Sequence, residues 1–328
     1  MKYDKLRQRE ICRSGRVELW CRARGRFLPR AEILDACLRR GAGALRVANR
    51  FGGALYSWRI LSLDGNPVQA SNGMSLIADA TLETATNQRL VICASFEPQR
   101  QYGPRVRNLL RRLARNVADL GAMDTGSFFL AWSGLLDGYR ATTHWESLDS
   151  FREEFPRIEV TQHLFEMDRN RFTCAGGTAA LDMMLHIIRL EHGQDLAAAI
   201  SEQFIHAPIR GAEEAQRMTP PAREGVTHPQ LARALTLMES RLEDPAPIAE
   251  IAEAAELSAR QLERLFRTRF KRSPARYYLD LRLQRAKALL QYSELSVTDI
   301  AIACGFSALA HFSRSYRAWS GKAPSDER

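Results

Sequence analysis

Arg260, Gln261 and Arg264 lie within five residues of one another, and Leu309, His311 and Arg314 follow a similar spacing further along the chain. Arginine can hold guanine through two parallel hydrogen bonds and glutamine can hold adenine likewise, each good pair discriminating by ~1–3 kcal/mol. Near the N-terminal ends of two helices, such side chains are placed to meet base edges. Arg267, Arg272, Arg317, Ser258 and Ser307 suit phosphates, which position a protein on DNA without specifying sequence. A second group implies different chemistry. Asp124, Thr125 and His144 have Phe129, Trp132 and Trp145 close by in sequence. Aromatic faces beside a carboxylate suit a cationic nitrogen, quaternary ammonium included.

The first group sits in a duplication. Ile251 and Ile300, Ala252 and Ala301, Ala254 and Ala303, Leu257 and Phe306, and Ser258 and Ser307 match at one offset. After a single inserted residue, Arg264 matches Arg314, Phe266 matches Tyr316 and Pro274 matches Pro324. Each copy reads as helix, short turn, helix, with Ser258 and Ser307 expected as N-caps of the second helix. Phe266, Phe306, Phe312 and Tyr316 are expected in the core. The connecting stretch 274–291 opens on Pro274, the favoured first helical position. At ~1.5 Å per residue it spans about 27 Å, near the ~34 Å between successive major-groove faces.

Composition narrows the classes. The chain has 328 residues, 45% hydrophobic and 26% charged, which suits about two globular domains. No apolar run is long enough to span a membrane. MKYDKLRQREICRSGR contains no apolar signal region, so the protein is expected in the cytoplasm. Six cysteines without paired spacing argue against a disulfide framework or a zinc site, and neither metal nor cofactor is expected. The net charge of +9 divides into +7 over residues 1–44, −2 over 45–227 and +4 over 228–328. The basic C-terminal part is compatible with nucleic acid, whereas the middle is not.

YSWRILSL (56–63) and RLVICASF (89–96) read as buried strands, 106–121 as an amphipathic helix closing on Gly121, and 127–136 as a buried helix. Residues 171–177 read as a strand entering a tight turn, followed by a helix over 178–193. This alternation predicts an α/β domain, a parallel sheet with helices on both faces. The proline- and charge-rich stretch 207–227 reads as a linker, and 228–328 as an all-α domain with two helix-turn-helix units.

Residues 229–324 resemble the AraC/XylS-type DNA-binding domain. The resemblance rests on IAEAAELS (251–258), RLFRTRF with SPARYYLDLRLQRAKALL (264–290), and DIAIACGFS with HFSRSYR (299–317). Lys271 stands where that family usually has glycine, and Ala308 and Ala310 replace residues more often polar. Residues 45–206 resemble the class I glutamine-amidotransferase-like (PfpI-type) domain in the version fused to AraC-type regulators. Its carriers are LRVANRFGGALYSWRILSLDG (45–65), GAMDTGSFFLAWSGLLDGYRATTHWE (121–146) and FTCAGGTAALDMMLHIIRLEHG (172–193). In the enzymes of that superfamily the strand-to-helix elbow carries a cysteine; here it reads Met123-Asp124-Thr125-Gly126.

The resemblance implies a homodimeric transcription regulator, an activator, that binds promoter DNA and works with RNA polymerase. It also implies an effector such as glycine betaine, carnitine or arginine in a retired active-site cleft. No catalytic residue is expected. Asp124 is expected to stay ionised beside helix N–H groups and to accept a cationic ligand. His144 is expected to be a hydrogen-bonded structural histidine. Cys174 is either a small buried hydrophobe or a relocated nucleophile, and Gly176 and Gly177 either cradle an anion or form a tight turn. The rival readings are an amidase- or hydrolase-like enzyme with a fused DNA-binding domain, and a DNA-architectural protein.

Upstream of Leu45 the resemblance stops. An apolar first strand and a Glu-Pro helix entry are expected there. The chain instead carries Arg7, Arg9, Arg13, Arg16, Arg22, Arg24, Arg26, Arg30, Arg39 and Arg40, with Gly43 and Ala44 at the entry. Either this leader is a basic arm for DNA, or, the preferred reading, residues 1–44 are translated in a shifted frame. A missing central strand would leave its neighbours' backbone groups unpaired and weaken the domain.

Overall fold

The computed structural model describes residues 16–21, 35–71, 73–85, 89–293 and 295–327. The chain divides into two compact units, Met1–Gln216 and Arg217–Arg328. Seven strands form the main sheet of the first unit: β1 (Arg16–Cys21), β2 (Ser57–Ser62), β3 (Ala80–Thr81), β4 (Arg89–Ala94), β5 (Asp119–Asp124), β6 (Phe165–Asp168) and β7 (Arg171–Cys174). Their order is β6-β7-β5-β4-β1-β2-β3, and every pairing is parallel except β6 with β7.

Alternation along the central strands assigns the two faces. Leu90, Ile92, Leu120 and Ala122 pack with α2 (Pro104–Leu113), α3 (Gly126–Trp132) and α4 (Leu148–Glu154). Val91, Cys93, Met123 and Cys174 pack with α1 (Asp35–Gly52), α5 (Ala179–His192) and α6 (Gln194–Gln203). Both faces are therefore buried, which is why these strands read as continuous apolar runs.

Three expectations change. The helix expected over 106–121 ends at Leu113, and β5 follows within the same stretch. Val117 and Leu120 prolong the helical spacing, while Gly121 and Ala122 carry no β preference, so burial between two helical layers decides the outcome. The central strand expected to be missing is supplied by the leader itself. β1 pairs with β2 from Arg16↔Ser57 to Cys21↔Ser62 and with β4 from Val17↔Arg89 to Trp20↔Ile92. A ladder uses main-chain groups, which an arginine-flanked RVELWC provides as well as any other sequence. α1 then runs through Gly43 and Ala44, so the boundary drawn at Leu45 falls inside a helix. Arg7, Arg9, Arg13, Arg22, Arg24, Arg26 and Arg30 lie outside the described residues.

The stretch read as a linker is divided as well, since the two units meet between Gln216 and Arg217. Residues 207–216 are tied into the first unit. Arg210 grips the buried Asp182 through its main-chain N–H (3.0 Å), Nε (3.0 Å) and Nη2 (2.5 Å). Gln216 Nε2 donates to Thr142 Oγ1, Thr143 O and His163 O. Polar composition here marks side chains that satisfy buried partners, which a linker pattern resembles.

The second unit is helical throughout: α7 (Pro220–Arg223), α8 (Pro229–Ser240), α9 (Ile248–Ala254), α10 (Ala259–Phe270), α11 (Pro274–Tyr292), α12 (Val297–Ala303) and α13 (Leu309–Ser320). Leu262, Phe266 and Tyr278 centre one small core, and Leu283, Phe306, Phe312 and Tyr316 centre another. α11 contributes to both. Pro274 stands in its first turn, with Ser273 as N-cap accepting from the Arg276 N–H.

Candidate functional site

Asp124 ends β5 with φ +57°, a left-handed conformation costly for a residue with a Cβ. The main chain there is fixed on every side. Thr143 Oγ1 and Ser127 Oγ donate to the Asp124 carbonyl at 3.0 and 3.2 Å, and Thr125 Oγ1 donates to Ser95 O instead of capping α3. Gly126 is required by space, because a Cβ there would lie 2.3 Å from Ile92 O. This is a sharp strand-to-helix elbow at the carboxyl end of a central strand, where open α/β sheets bind ligands.

Its electrostatics run against the expected ionised aspartate. Only 2% of Asp124 is exposed. Burial pushes its carboxyl well above the usual carboxylate range; the Thr125 N–H bond opposes this, and the nearby Glu146 charge adds to it. Desolvation outweighs the helix N–H groups on which the expectation rested. His144 flanks the elbow, its imidazole pulled below its ordinary value by burial against the opposing Glu146 charge. Its Nδ1 accepts from the Glu146 N–H at 3.4 Å, and its ring lies 5.4 Å from that of Trp145.

The remaining elbow candidates separate. Trp145 is 37% exposed beside His144. Phe129 is core, 1% exposed. Trp132 stands at the far end of α3, among Phe128, Phe129 and Phe155, with its Nε1 donating to Glu154 Oε1. Proximity in sequence misled here, because a helix carries its residues away from the elbow at ~1.5 Å each. Cys174 is fully buried and its thiol is pushed up to about 12, first by burial, which leaves no accessible thiolate. Gly176 and Gly177 form a turn with φ +88° and +55°, and Arg210 Nη2 occupies the adjoining Thr178 hydroxyl at 2.6 Å. Sequence reasoning missed Glu146, whose charge reaches Asp124, and Ser95, whose buried Oγ has no hydrogen-bond partner among the described residues. Ser95 immediately follows a strand, a signal too common to single it out.

In the second unit Ser258, Arg260, Gln261, Arg264 and Arg267 are exposed along α10, and Ser307, Leu309, His311, Arg314 and Arg317 are exposed on or beside α13. Their local settings differ. Ser258 caps α10 in a reciprocal box with Gln261, which accepts from Ser258 N at 2.8 Å and Oγ at 2.9 Å. Gln261 therefore holds its own turn before it can reach a base. Ser307 is not a cap: the N-cap of α13 is Ala308, without a side-chain bond. Arg267 pairs with Glu263 at 2.8 Å and Arg272 with Asp280 at 2.8 Å, so both would exchange an ion pair for a phosphate. Arg282 braces the second turn, donating to Cys304 O and Gly305 O and lying 4.1 Å from the Phe306 ring. Among the described residues no group of three His, Cys, Asp or Glu could hold a metal ion, and no helix is long and apolar enough to cross a membrane.

Known proteins share this arrangement. Residues 43–190 match the DJ-1/PfpI family and residues 251–328 match the family described as Helix-turn-helix domain. The chain is 47% identical to the HTH-type transcriptional regulator CdhR of Pseudomonas aeruginosa, over 87% of this chain and 85% of that protein. It is 45% identical to the HTH-type transcriptional regulator GbdR of Pseudomonas aeruginosa, over 87% of this chain and 78% of that one. A crystal structure of an AraC family transcriptional regulator from Pseudomonas putida superposes with a TM-score of 0.50 at 28% identity, covering 58% of this chain and 98% of that one. A DJ-1/PfpI-like α/β domain and a duplicated helix-turn-helix domain together define a DNA-binding transcription regulator. This chain belongs to the AraC family, in the group with a PfpI-type N-terminal domain.

Proposed function

We propose that the chain is a cytoplasmic, homodimeric activator whose DNA binding is controlled by a small amine-bearing metabolite at the Asp124 elbow, of the betaine, carnitine or arginine class. The observation that carries this reading is a carboxyl, not a thiol, held at the elbow in a strained conformation. A cationic nitrogen arriving there would offset the cost of burying the Asp124 charge. Thr125 braces the turn, His144 and Trp145 flank the approach, and Phe129 and Trp132 anchor α3 in the core on one face of the sheet. Ligand binding would favour one arrangement of the regulator over another, changing how α10 and α13 meet promoter DNA and RNA polymerase. The domain is not an enzyme in this reading, since Cys174 has no accessible thiolate.

The test is a thermal-shift screen of the full chain against betaine, dimethylglycine, carnitine, choline and arginine, repeated on Asp124→Ala. A shift with one compound that disappears in the variant supports the reading, because a ligand bound only to the folded state must stabilise it. A shift that survives the substitution places the ligand elsewhere. Amide hydrolysis abolished by thiol alkylation would instead favour an enzyme.

A further inference from the structure

At the opposite end of the central strands from the elbow, two adjoining hollows of about 360 and 470 Å³ share Arg111, Gly134, Asp137 and Arg157 in their walls. Their size is that of small-molecule sites. Arg115 and Arg171 line the larger one, and Trp132 and Phe155 line the smaller. The strand register fixes the location: Arg171 opens β7 opposite Leu120, whereas Asp124 closes β5 four residues later.

The charges do not balance. Asp137 is occupied by Arg157 at 2.7 Å, and Glu154 receives the Trp132 Nε1–H. Among the described residues, Arg111, Arg115 and Arg171 form no ion pair with a carboxylate. Arg111 Nε donates to Ser133 O at 2.8 Å, while Arg171 donates to Leu135 O at 2.9 Å and Asn170 O at 3.1 Å. These bonds orient the guanidinium groups through neutral carbonyls. Arg171 is only 9% exposed. Burial lowers its affinity for a proton, the charge of Asp119 opposes this without an ion pair, and the guanidinium lies 5.2 Å from the Tyr139 ring, so a buried cation here still gains from an anionic partner.

We propose that this cavity binds a small organic anion, with a carboxylate or phosphate held by Arg111, Arg115 and Arg171 and its apolar part against Trp132 and Phe155. Guanidinium groups grip both anions with paired, charge-assisted hydrogen bonds. The aromatic wall favours a compact organic ligand over a DNA backbone. This site is independent of the Asp124 elbow, and either can exist without the other.

The test titrates the full chain with citrate, benzoate and inorganic phosphate at constant ionic strength. The readout is the Trp132 indole N–H resonance, assigned with Trp132→Phe. Saturable movement with at least one probe is expected, with affinity about tenfold weaker in Arg115→Gln. Arg115 is exposed, so that variant should fold, and Arg111→Gln gives a second reading. Comparing probes separates carboxylate from phosphate preference. The proposal is overturned if no probe moves the resonance beyond a chloride control. It is equally overturned if both variants titrate like the parent, or if duplex DNA alone moves the signal.

Discussion

Gly176 and Asp124 are pressed together across the elbow: a Cβ on Gly176 would lie 2.8 Å from the Asp124 Cβ and 3.0 Å from its Cγ and Oδ2. The turn after β7 thus forms one wall of the space in which the buried carboxyl sits. Gly176 also has φ +88°, so conformation and space both exclude a side chain.

Gly176→Ala should therefore cost about 3 kcal/mol, combining backbone strain with overpacking. Urea denaturation measures it. A loss below about 0.5 kcal/mol would mean that the wall yields freely.

Asp124→Asn should raise the melting temperature at neutral pH. The folded carboxyl has its pKa raised by burial, whereas in the unfolded chain it ionises near ~3.9. The stability associated with its bound proton is complete below that value and is lost as pH climbs through the folded pKa. Asparagine carries no such penalty and tolerates positive φ. The gain should shrink as pH falls toward the ordinary carboxylate range, which melting curves across pH would show.

A cationic ligand at Asp124 should bind more tightly as pH rises, because burial raises the pKa of the free carboxyl and the ligand favours its ionised form. Calorimetry in two buffers of different ionisation enthalpy should detect proton release. Binding that does not vary with pH would remove Asp124 from the ligand's contacts.

Lys271 and Gly321 end α10 and α13 in the same left-handed cap, with φ +56° and +80°. Lys271→Gly should stabilise the second unit by about 1 kcal/mol, and Gly321→Lys should destabilise it by a similar amount. Paired denaturation curves test both.

Ser258→Ala should cost ~1 kcal/mol through loss of the capping box, while Ser307→Ala should change stability by less than about 0.5 kcal/mol. On DNA, Arg264→Ala should lose ~1–3 kcal/mol and relax preference at one base pair. Arg267→Ala should weaken all sequences alike and lower the salt dependence by about one phosphate contact. Binding isotherms on specific and random duplexes across salt separate the two outcomes.

The second unit was largely legible in the sequence because its signals are local and occur twice. Ser258, Pro274 and the buried Phe266 and Tyr316 act within a helical turn or two of where they stand. The elbow was less legible. That burial pushes the Asp124 carboxyl toward its neutral form follows from β4, β7 and the Gly176 turn, contributions far apart in the sequence. Trp132 is near Asp124 in sequence but at the far end of α3, and DLGAMD has nothing of a strand except its place between β4 and β7. β1 was concealed by the arginines around it.

The two readers in the second unit are unequal. Where α10 presents Arg260, Arg264 and Arg267, α13 presents Ala310, Arg314 and Arg317, and only α10 carries a side-chain cap. Two matched readers would call for the same bases twice. Unmatched ones call for two different half-sites, so that exchanging the halves of a target would abolish recognition although every base was retained.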